Sequence, residues 1–599
     1  MALFEIALSL EDFRQVDWEK IVEQCDRKDC ASYSHHFFEA AKAAKDEATV
    51  IQHVYEFLGH VTSPMLKSES DNEPFTPVAV MADGSRTPIP KDFSDQQLTL
   101  LKEIAPSIQD SELRARIADI LWERKRDFQM AQLAVNSYLE SAQRLEDPEH
   151  RFLPFPRIQR ASRIAVRLGK NNDFLTSVID YVNSLLAKYQ TEDPLDFSAK
   201  LMRLLQEYRL GDFTKYATLS EKAAASSEKS RQWDRSREYW EVTGRWYALA
   251  KETENQRRVQ VSIAETYVKE ADAAVSNPSP SYMIAASCLQ KAIEAYRRVG
   301  GMKERVEELH KLLLKHQPQS MSEMKMFSHE IDTRSLVEQA TAQVRGKSFK
   351  DAILQLALMG SSPSVEKLRL RVEEALRDYP LQFLIAETLY NQTGKVVARK
   401  PSIISNDPEE SETALQISML KYARYEQHIY ASAIVNSARY QINLEYNTSM
   451  EDFAFIVINN PFIPPGREMI YARGLLEGLR GDFLVSTHLL IPQIEHSIRY
   501  LMEQQGCIVS GLDDRGVQDE HNINVLIRRP ELVEILGEDI VFDLKGLLVH
   551  RFGTNLRNHM AHGLVEYNGF LTDDNSYLWW LTLHLCCLPI IKLNYQSEA

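Results

Sequence analysis

Cysteine is scarce in this chain, and the few cysteines are not grouped. The six of them, among 599 residues, include no Cys-x-x-Cys pair, and no group of histidines accompanies them. Structural zinc sites and disulfide frameworks both require such grouping. We therefore expect neither a metal ion nor a cofactor, and we expect the reducing environment of the cytoplasm.

Long apolar runs are also missing. The longest, YLWWLTLHLCCLPII from Tyr577 to Ile591, has 15 residues, whereas a membrane-spanning helix needs about 18 to 20. This run is predicted to be the buried last helix of a bundle, and a membrane anchor is the alternative. The N-terminal sequence MALFEIALSLEDFRQ lacks the basic start of a signal peptide. A membrane partner is therefore not expected.

Positive charge is in deficit, with a net charge of −15. From Asn447 onward, 11 lysines and arginines face 20 aspartates and glutamates. A broad nucleic-acid groove needs a basic surface, so any RNA must be held at a small local site, and DNA is not expected to bind. The local basic group of Lys395, Arg399 and Lys400 is interpreted as solvated loop charges rather than a phosphate contact.

Glycine and proline are few, at 22 and 23 residues, which favours a helical protein. The pattern changes along the chain divide it into five parts. These are a helical segment at 1–60 (for example one helix from Ile21 to Phe37), a Pro- and Ser-rich linker or irregular loop at 61–95, a helical-repeat region at 96–330, a connecting helical region at 331–446 and a C-terminal domain at 447–599.

The region 96–330 contains three helical hairpins. Their turns are predicted at Gly169–Asn172, at Glu254–Asn255 and at Gly300–Gly301. Hairpins in series resemble tetratricopeptide repeats, although the strict 34-residue period is absent. The repeats predict a solenoid with a surface for a protein partner.

The stretch RNHMAHG, Arg557 to Gly563, follows an apolar helical pattern over EDIVFDLKGLLVHRF. Gly553 is predicted to interrupt that helix, and Thr554 or Asn555 to cap a short new one. Gly563 suits the left-handed position just past its end. The motif is therefore expected to occupy its own brief helix.

The motif combines an arginine with a histidine five places on. Arginine offers a fixed fork of donors for phosphate oxygens, and histidine transfers protons near neutral pH. Arg305 and His310 have the same spacing inside an ordinary charged helix, so spacing alone proves little. In the alternative interpretation, Arg557 pairs with a carboxylate and His562 bonds a backbone carbonyl. His559 is predicted to be a surface residue.

Context adds a resemblance to a family. The RNxxxHG stretch resembles the signature of the domain of unknown function 4209, in the HEPN superfamily (higher eukaryotes and prokaryotes nucleotide-binding). The run GDFLVSTHLLIPQIEHSIR, Gly481 to Arg499, is similar to that family's first long helix. The resemblance covers about residues 447–592. It implies an all-α protein in which a tetratricopeptide-like solenoid is followed by a HEPN helical bundle.

The resemblance also implies a function, that of a metal-independent endoribonuclease that cleaves RNA through its own 2′-hydroxyl group. His562 would transfer the proton, Arg557 would hold the phosphate, and Asn558 would orient the ring or contact RNA. Glu495 and Arg499 would be supporting residues, with Glu495 bracing Arg557, although an intrahelical salt bridge between the two is the simpler account. A homodimer would bring two motifs together, in a stress or antiviral defence setting.

Two features depart from the family. Many toxin-type members have a tyrosine two places past the histidine, where this chain has Leu564. Regulatory modification of that tyrosine is therefore not available here. The acidic charge is the second departure. It leaves open an alternative function, a non-catalytic scaffold whose bundle dimerises or binds RNA or a nucleotide. We see no Walker loop, GxSxG, HExxH or GxGxxG pattern in a fitting context.

Overall fold

The computed structural model of the chain describes residues 8–44, 49–81, 84–146, 153–169, 172–189, 196–325, 330–405 and 407–598. About 71% of the chain is helical, and the strands of the described residues form only three two-stranded hairpins. The predicted all-α class is confirmed. The chain divides into two compact units, Met1–Ser320 and Met321–Ala599.

The first unit is built from consecutive helices joined by short connections. They are α1 (Leu10–Gln15), α2 (Glu19–Gln24), α3 (Cys30–Ala43), α4 (Thr49–Thr62), α5 (Asp95–Ile104), α6 (Ser111–Lys125), α7 (Phe128–Arg144), α8 (Pro154–Arg167), α9 (Asp173–Tyr189), α10 (Phe197–Tyr208), α11 (Phe213–Lys229), α12 (Trp233–Leu249), α13 (Thr253–Val275), α14 (Tyr282–Val299) and α15 (Lys303–Ser322), with short 3₁₀ turns at Pro90–Asp92 and Ala105–Ser107 and strands β1 (Met65–Leu66) and β2 (Phe75–Thr76).

The three predicted helix pairs of the repeat region are present as α8 with α9, α12 with α13, and α14 with α15. The first predicted turn, at residues 169–172, lies partly outside the described residues. Trp246 shows why α12 folds onto its neighbour. Its buried ring lies 5.0 Å from that of Tyr216 on α11, so the apolar face of α12 packs inward rather than forming a ligand site.

For the segment 61–95 the sequence predicts a linker or irregular loop, and its described residues are mostly irregular and pack on helices of the first unit. Its strands β1 and β2 pair antiparallel, and Phe75 is buried. Ser68 donates a hydrogen bond to Gln159 of α8 at 2.8 Å. A guanidinium nitrogen of Arg163, also on α8, lies 2.8 Å from a carboxylate oxygen of Asp71. These contacts across about 90 residues could not be read from local composition.

The single helix predicted from Ile21 to Phe37 is two helices, α2 and α3. Asp29 breaks it, because its side chain accepts a hydrogen bond from the Ser32 N–H at 2.8 Å and thereby caps α3. An N-cap residue has extended backbone angles that a continuous helix does not allow.

The second unit has these elements: helices α16 (Arg334–Val344), α17 (Phe349–Leu358), α18 (Val365–Asp378), α19 (Pro408–Ile429), α20 (Asn436–Glu445), α21 (Ala454–Val457), α22 (Glu468–Arg480), α23 (Phe483–Gln504), α24 (Ile523–Leu526), α25 (Pro530–Leu536), α26 (Glu538–Leu544), α27 (Leu556–Ala561), α28 (Tyr567–Phe570) and α29 (Asp573–Glu598), π-helical turns Tyr430–Val435 and Lys545–Val549, 3₁₀ turns Pro380–Phe383 and Glu451–Phe453, and antiparallel hairpins β3 (Glu387–Tyr390) with β4 (Val396–Lys400) and β5 (Ser510–Leu512) with β6 (Gln518–Glu520).

The last helix, α29, lies in the core of this unit, as predicted from its apolar run. The indole N–H of Trp579 donates to the Leu475 carbonyl at 2.9 Å, and that of Trp580 donates to the Leu356 carbonyl at 3.0 Å. His584 donates to the Ala357 carbonyl at 2.7 Å. Among the helices of the described residues, none combines the length and apolar character needed to cross a membrane.

One apolar core includes residues from both sides of the boundary predicted at residue 447. Buried side chains of α17 and α20 cluster with those of α22, α23 and α29. The regions 331–446 and 447–599 therefore belong to one compact unit, and the HEPN-like stretch is not a separate body. Helical periodicity marks the buried faces of helices, but it does not say which faces meet.

Lys400 differs from its interpretation as a solvated loop charge. Its side chain is only 3% exposed. The ammonium group lies 2.9 Å from a Glu387 carboxylate oxygen across the β3–β4 hairpin, and 5.5 Å from the ring centroid of Phe383. Lys400 is therefore a structural residue of the hairpin.

A buried carboxylate, Asp543, lies on α26, the helix that precedes the motif in the chain. It accepts hydrogen bonds from the Gln427 amide at 2.6 Å and from the Tyr577 hydroxyl at 2.7 Å. Burial raises the pKa of Asp543 to about 6, against the lowering effect of these hydrogen bonds. Asp543 thus ties α19, α26 and α29 together.

Candidate functional site

The helix that precedes the motif ends earlier than its apolar pattern indicates. α26 continues as the π-helical turn Lys545–Val549, and the His550 N–H closes this turn on the Lys545 carbonyl at 2.8 Å. The chain then folds back, and the Thr554 N–H donates to the Gly546 carbonyl at 3.0 Å. A π turn inside a helical run is rare and is often found near functional sites.

Gly553 is the residue that permits this return. A Cβ atom at position 553 would lie 1.9 Å from the Gly546 carbonyl oxygen. Every other residue type would therefore collide with the backbone of the π turn. The helix ends at Val549, before Gly553, so Gly553 does not itself interrupt it as predicted. Gly553 instead permits the close approach of two backbone segments.

The motif forms its own short helix, α27, as predicted. Asn555 precedes it in the left-handed conformation, with φ 55°, and its side chain makes no capping hydrogen bond. The predicted capping by Thr554 or Asn555 is therefore wrong. Gly563 lies just past the end with φ 64°, as expected. His562 is the first residue after the helix, and its side chain is exposed.

Glu495 of α23 holds Arg557 from the neighbouring helix. One carboxylate oxygen lies 3.2 Å from Arg557 Nε, and the other lies 3.4 Å from an Arg499 guanidinium nitrogen. Arg499 also donates to the His521 carbonyl at 3.0 Å. Glu495 thus contacts the motif directly, and Arg499 contacts Glu495. Glu495 makes the interhelical contact to Arg557 and the intrahelical contact to Arg499 at the same time.

Arg557 keeps donors for a ligand despite this pairing. Its side chain is 23% exposed. Within the described chain, Nε donates to Glu495 and Nη1 donates to the Asn558 side-chain oxygen at 3.1 Å. A guanidinium has five N–H groups, so others remain to meet phosphate oxygens. The Glu495 carboxylate therefore orients the Arg557 guanidinium and leaves some of its N–H groups available.

A chain of amide hydrogen bonds runs from Arg557 to His559. Asn558 Nδ2 donates to Asn555 Oδ1 at 2.7 Å, and Asn555 Nδ2 lies 3.4 Å from His559 Nε2. Arginine can only donate, so Asn558 must present its oxygen to Arg557 and its NH₂ to Asn555. Asn555 must then present its own NH₂ to His559. Nε2 of His559 is therefore the acceptor, and the ring carries its proton on Nδ1.

His559 is not the surface residue that the sequence predicts. It is half-buried, and the pKa of its imidazole is lowered by burial, and further by the charges of Arg424 and His562. The amide chain acts in the same direction, because it leaves no acceptor at Nε2 for a second proton. His559 is accordingly neutral at pH 7 and offers an Nδ1–H donor.

Asn558 does not orient the ring of His562. Its side chain bonds Arg557 and Asn555, with a longer contact of 3.5 Å to the Val549 carbonyl. Its link to His562 runs through the backbone, where the His562 N–H donates to the Asn558 carbonyl at 3.1 Å. The i, i+4 spacing therefore gives a backbone hydrogen bond, while the Asn558 side chain bonds Arg557 and Asn555.

Sequence reasoning missed Asn555 and His559 as members of the site. The available signal was the spacing of Asn555, Asn558 and His559, which are three and four residues apart on one helix face. Among the described residues, no group of three or more His, Cys, Asp or Glu side chains is placed to hold a metal ion.

Comparison with known proteins gives one match. A family model described as a domain of unknown function (DUF7380) matches residues 4–177. Neither the curated proteins nor the solved structures contain a significant match to the chain. The matched segment lies within the first unit and covers none of residues 447–592. The resemblance of the motif to HEPN proteins therefore stays a prediction.

Proposed function

We propose that the second unit is a metal-independent endoribonuclease of the HEPN type. The observation that carries the proposal is the arrangement on α27. Arg557, oriented by Glu495 and still partly exposed, lies in the first turn of α27, and the exposed His562 follows the end of the same helix. Phosphodiester cleavage without a metal requires a fixed cation for the phosphate and an accessible group that transfers a proton.

The RNA supplies the nucleophile in this reaction. Its 2′-hydroxyl loses a proton and its oxygen bonds to phosphorus, while the bond from phosphorus to the 5′-oxygen breaks and that oxygen gains a proton. The products are a 2′,3′-cyclic phosphate and a free 5′-hydroxyl. Arg557 stabilises the charge on the phosphorane oxygens, and His562 transfers a proton. His559 donates from Nδ1 and cannot serve as the second base.

The second proton-transfer group then comes from another copy of the chain. A homodimer with a two-fold axis beside α27 places a second His562 across the scissile phosphate. We further propose that the helical hairpins of the first unit bind a protein partner, and that the protein acts in the cytoplasm in a stress or antiviral defence setting.

The experiment is RNA cleavage by the purified full chain in EDTA. Wild type should convert a labelled single-stranded RNA to products with 2′,3′-cyclic ends, and should leave DNA of the same sequence intact because DNA lacks the nucleophile. His562→Gln and Arg557→Gln should each lose about 100-fold or more. His310→Gln is the matched control, since the exposed His310 has the same spacing from an arginine.

The competing function is a non-catalytic scaffold. The acidic balance of residues 447–599, with 11 basic against 20 acidic side chains, favours it. Binding of RNA or nucleotide by wild type without cleavage in EDTA would establish the scaffold. Cleavage by His562→Gln at the wild-type rate would remove His562 from the mechanism.

A further inference from the structure

The outer face of α19 combines cations with an exposed aromatic ring. Lys421 lies three and four residues before Arg424 and Tyr425, and His428 lies four and three residues after them, so the four share one side of the helix. All four are exposed. Tyr425 is 47% exposed, and within the described chain its side chain makes no ring contact and no hydrogen bond. Basic side chains beside an accessible aromatic ring are typical of surfaces that bind single-stranded nucleic acid.

The donors of this face are more exposed than the carboxylates that pair with them. A guanidinium nitrogen of Arg424 lies 3.3 Å from Asp574, and the two side chains are 51% and 18% exposed. Nδ1 of His428 lies 3.2 Å from Asp573, and these side chains are 63% and 26% exposed. The Arg424 contact uses one of five N–H groups. The carboxylates of α29 therefore orient the two side chains and leave donors of Arg424 available to a ligand.

Asp574 connects this face to the motif. One of its carboxylate oxygens contacts Arg424, and the other accepts a hydrogen bond from the Thr554 hydroxyl at 3.4 Å. Thr554 belongs to the return turn and lies three residues before Arg557. The charge of Arg424 also acts on the motif residue His559, whose pKa it lowers after the larger effect of burial. The outer face of α19 therefore adjoins the turn that leads into α27.

α19 also supplies positive charge that the count from Asn447 onward omits. Between Lys421 and Val435 the chain has two basic side chains and a histidine but one acidic side chain, Glu426. Glu426 pairs with Arg371 of α18 at 3.0 Å. The acidic balance of residues 447–599 is thus compatible with a local basic surface, because that surface comes from an earlier part of the chain.

We propose that the outer face of α19 binds the single-stranded RNA that continues from the scissile phosphate, with a base stacked on the Tyr425 ring and a phosphate bonded to Arg424. The proposal rests on the proposed function for the identity of the ligand and for the position of the scissile phosphate. Stacking on one ring and one phosphate contact accept many sequences. The surface therefore selects an unpaired strand, whose bases are free to stack, over a duplex.

The test measures RNA binding by full-length protein that carries His562→Gln, so that cleavage does not interfere. A labelled single-stranded RNA of about twelve nucleotides is titrated by fluorescence anisotropy at several salt concentrations. Arg424→Gln should weaken binding about tenfold and reduce the slope of log affinity against log salt by about 0.7, because one phosphate contact is lost. Tyr425→Ala should weaken binding about fivefold or more and leave the slope unchanged.

A second measurement detects the stacked base. The same RNA is prepared with 2-aminopurine at one position at a time, since stacking quenches the fluorescence of this base. At one position the fluorescence should fall on binding, and Tyr425→Ala should prevent that fall. Tyr440→Ala, which removes another exposed tyrosine, and Arg369→Gln, which removes another exposed arginine with one carboxylate partner, are the controls. Each should change the affinity less than twofold.

The outcomes separate this surface from the nuclease. Loss of affinity in both variants, with the controls unchanged, supports the surface even where wild type leaves RNA intact in EDTA. Unchanged affinity, salt slope and fluorescence in folded Arg424→Gln and Tyr425→Ala overturn the surface even where wild type cleaves RNA. Failure of the His562→Gln protein to bind RNA also overturns it.

Discussion

Arg557 influences His559 without touching it. A guanidinium can only donate hydrogen bonds, and this fixes the orientation of the Asn558 and Asn555 amides between the two residues. Asn555 then donates to Nε2 of His559, so the ring carries its proton on Nδ1. A residue proposed to bind phosphate thereby also determines which nitrogen of His559 carries the proton. His562 lies outside this chain of hydrogen bonds and is the residue that we propose to transfer a proton.

The amide chain predicts the effect of Asn558→Ala. Without Asn558, Asn555 can rotate its oxygen toward His559 and accept a hydrogen bond from a protonated Nε2. The pKa of His559 should therefore rise toward its ordinary value. Titration of histidine-labelled protein by NMR measures this shift, and the exposed His310 serves as the internal control. A midpoint that stays at the wild-type value would show that burial and Arg424 alone set the pKa.

Asp543 predicts a pH dependence of stability. Its folded pKa of about 6 exceeds the ordinary value of 3.8, so the folded state binds the proton more tightly than the unfolded state does. The group favours folding at low pH, and this contribution is lost as the pH rises from about 4 through 6. The loss amounts to about 3 kcal/mol above pH 6, from 1.36 kcal/mol per pKa unit.

Chemical denaturation of wild type and Asp543→Asn at pH 5 and pH 8 measures this contribution. An asparagine can accept from Gln427 and donate to Tyr577, so the variant should keep the network and lose the pH-dependent cost. The difference in unfolding free energy between the two proteins should shift toward the variant by about 1.4 kcal/mol from pH 5 to pH 8, because about half of the total loss has already occurred at pH 5. An equal difference at both pH values would contradict a raised pKa for Asp543.

At the scale of elements, the geometry of the site depends on how the helix α26 ends. The π-helical turn, Gly553 and the left-handed Asn555 reverse the chain within a few residues and set α27 against α23. Of the motif residues, Met560 packs against the apolar core, and the turn sets the backbone position of the others.

Gly553→Ala should therefore disturb the site through the backbone. The added methyl carbon cannot remain 1.9 Å from the Gly546 oxygen, so either the π turn or the return turn must move. We expect a loss of about 2–4 kcal/mol of unfolding free energy and a loss of cleavage. Gly244→Ala is the control, since its Cβ would lie 3.4 Å from Val259. Wild-type stability and activity of Gly553→Ala would show that the turn is not needed.

Local features of the elements were predictable from the sequence. The left-handed Gly563 just past the end of α27 follows from backbone preferences, which act within a few residues. The burial of Lys400 and His559 was not predictable, because it depends on groups from other elements. The pairing of Glu495 with Arg557, 62 residues apart, was expected only through the family resemblance. Contacts between helix faces leave no local signal.

At the scale of the whole molecule, we expect cleavage to depend on protein concentration. In the proposed mechanism each copy supplies one proton-transfer residue, His562, so the acid and the base require two copies. Specific activity should fall as dilution separates the protomers, in parallel with the molar mass measured by light scattering. A monomer with full specific activity at nanomolar concentration would show that one copy supplies both groups.

Two backbone carbonyls of α17 accept hydrogen bonds from side chains of α29, and this has a consequence for biosynthesis. The Leu356 carbonyl has no hydrogen bond from Trp580 until a further 224 residues have been synthesised. At a translation rate of roughly 5–20 residues per second, this delay is about 10–45 s. During that time the apolar face of α17 lacks the helix that covers it, and so do those of α22 and α23 once they have been synthesised. The nascent second unit should therefore be a client of ribosome-associated chaperones, and a ribosome stalled before α29 should expose it to proteolysis.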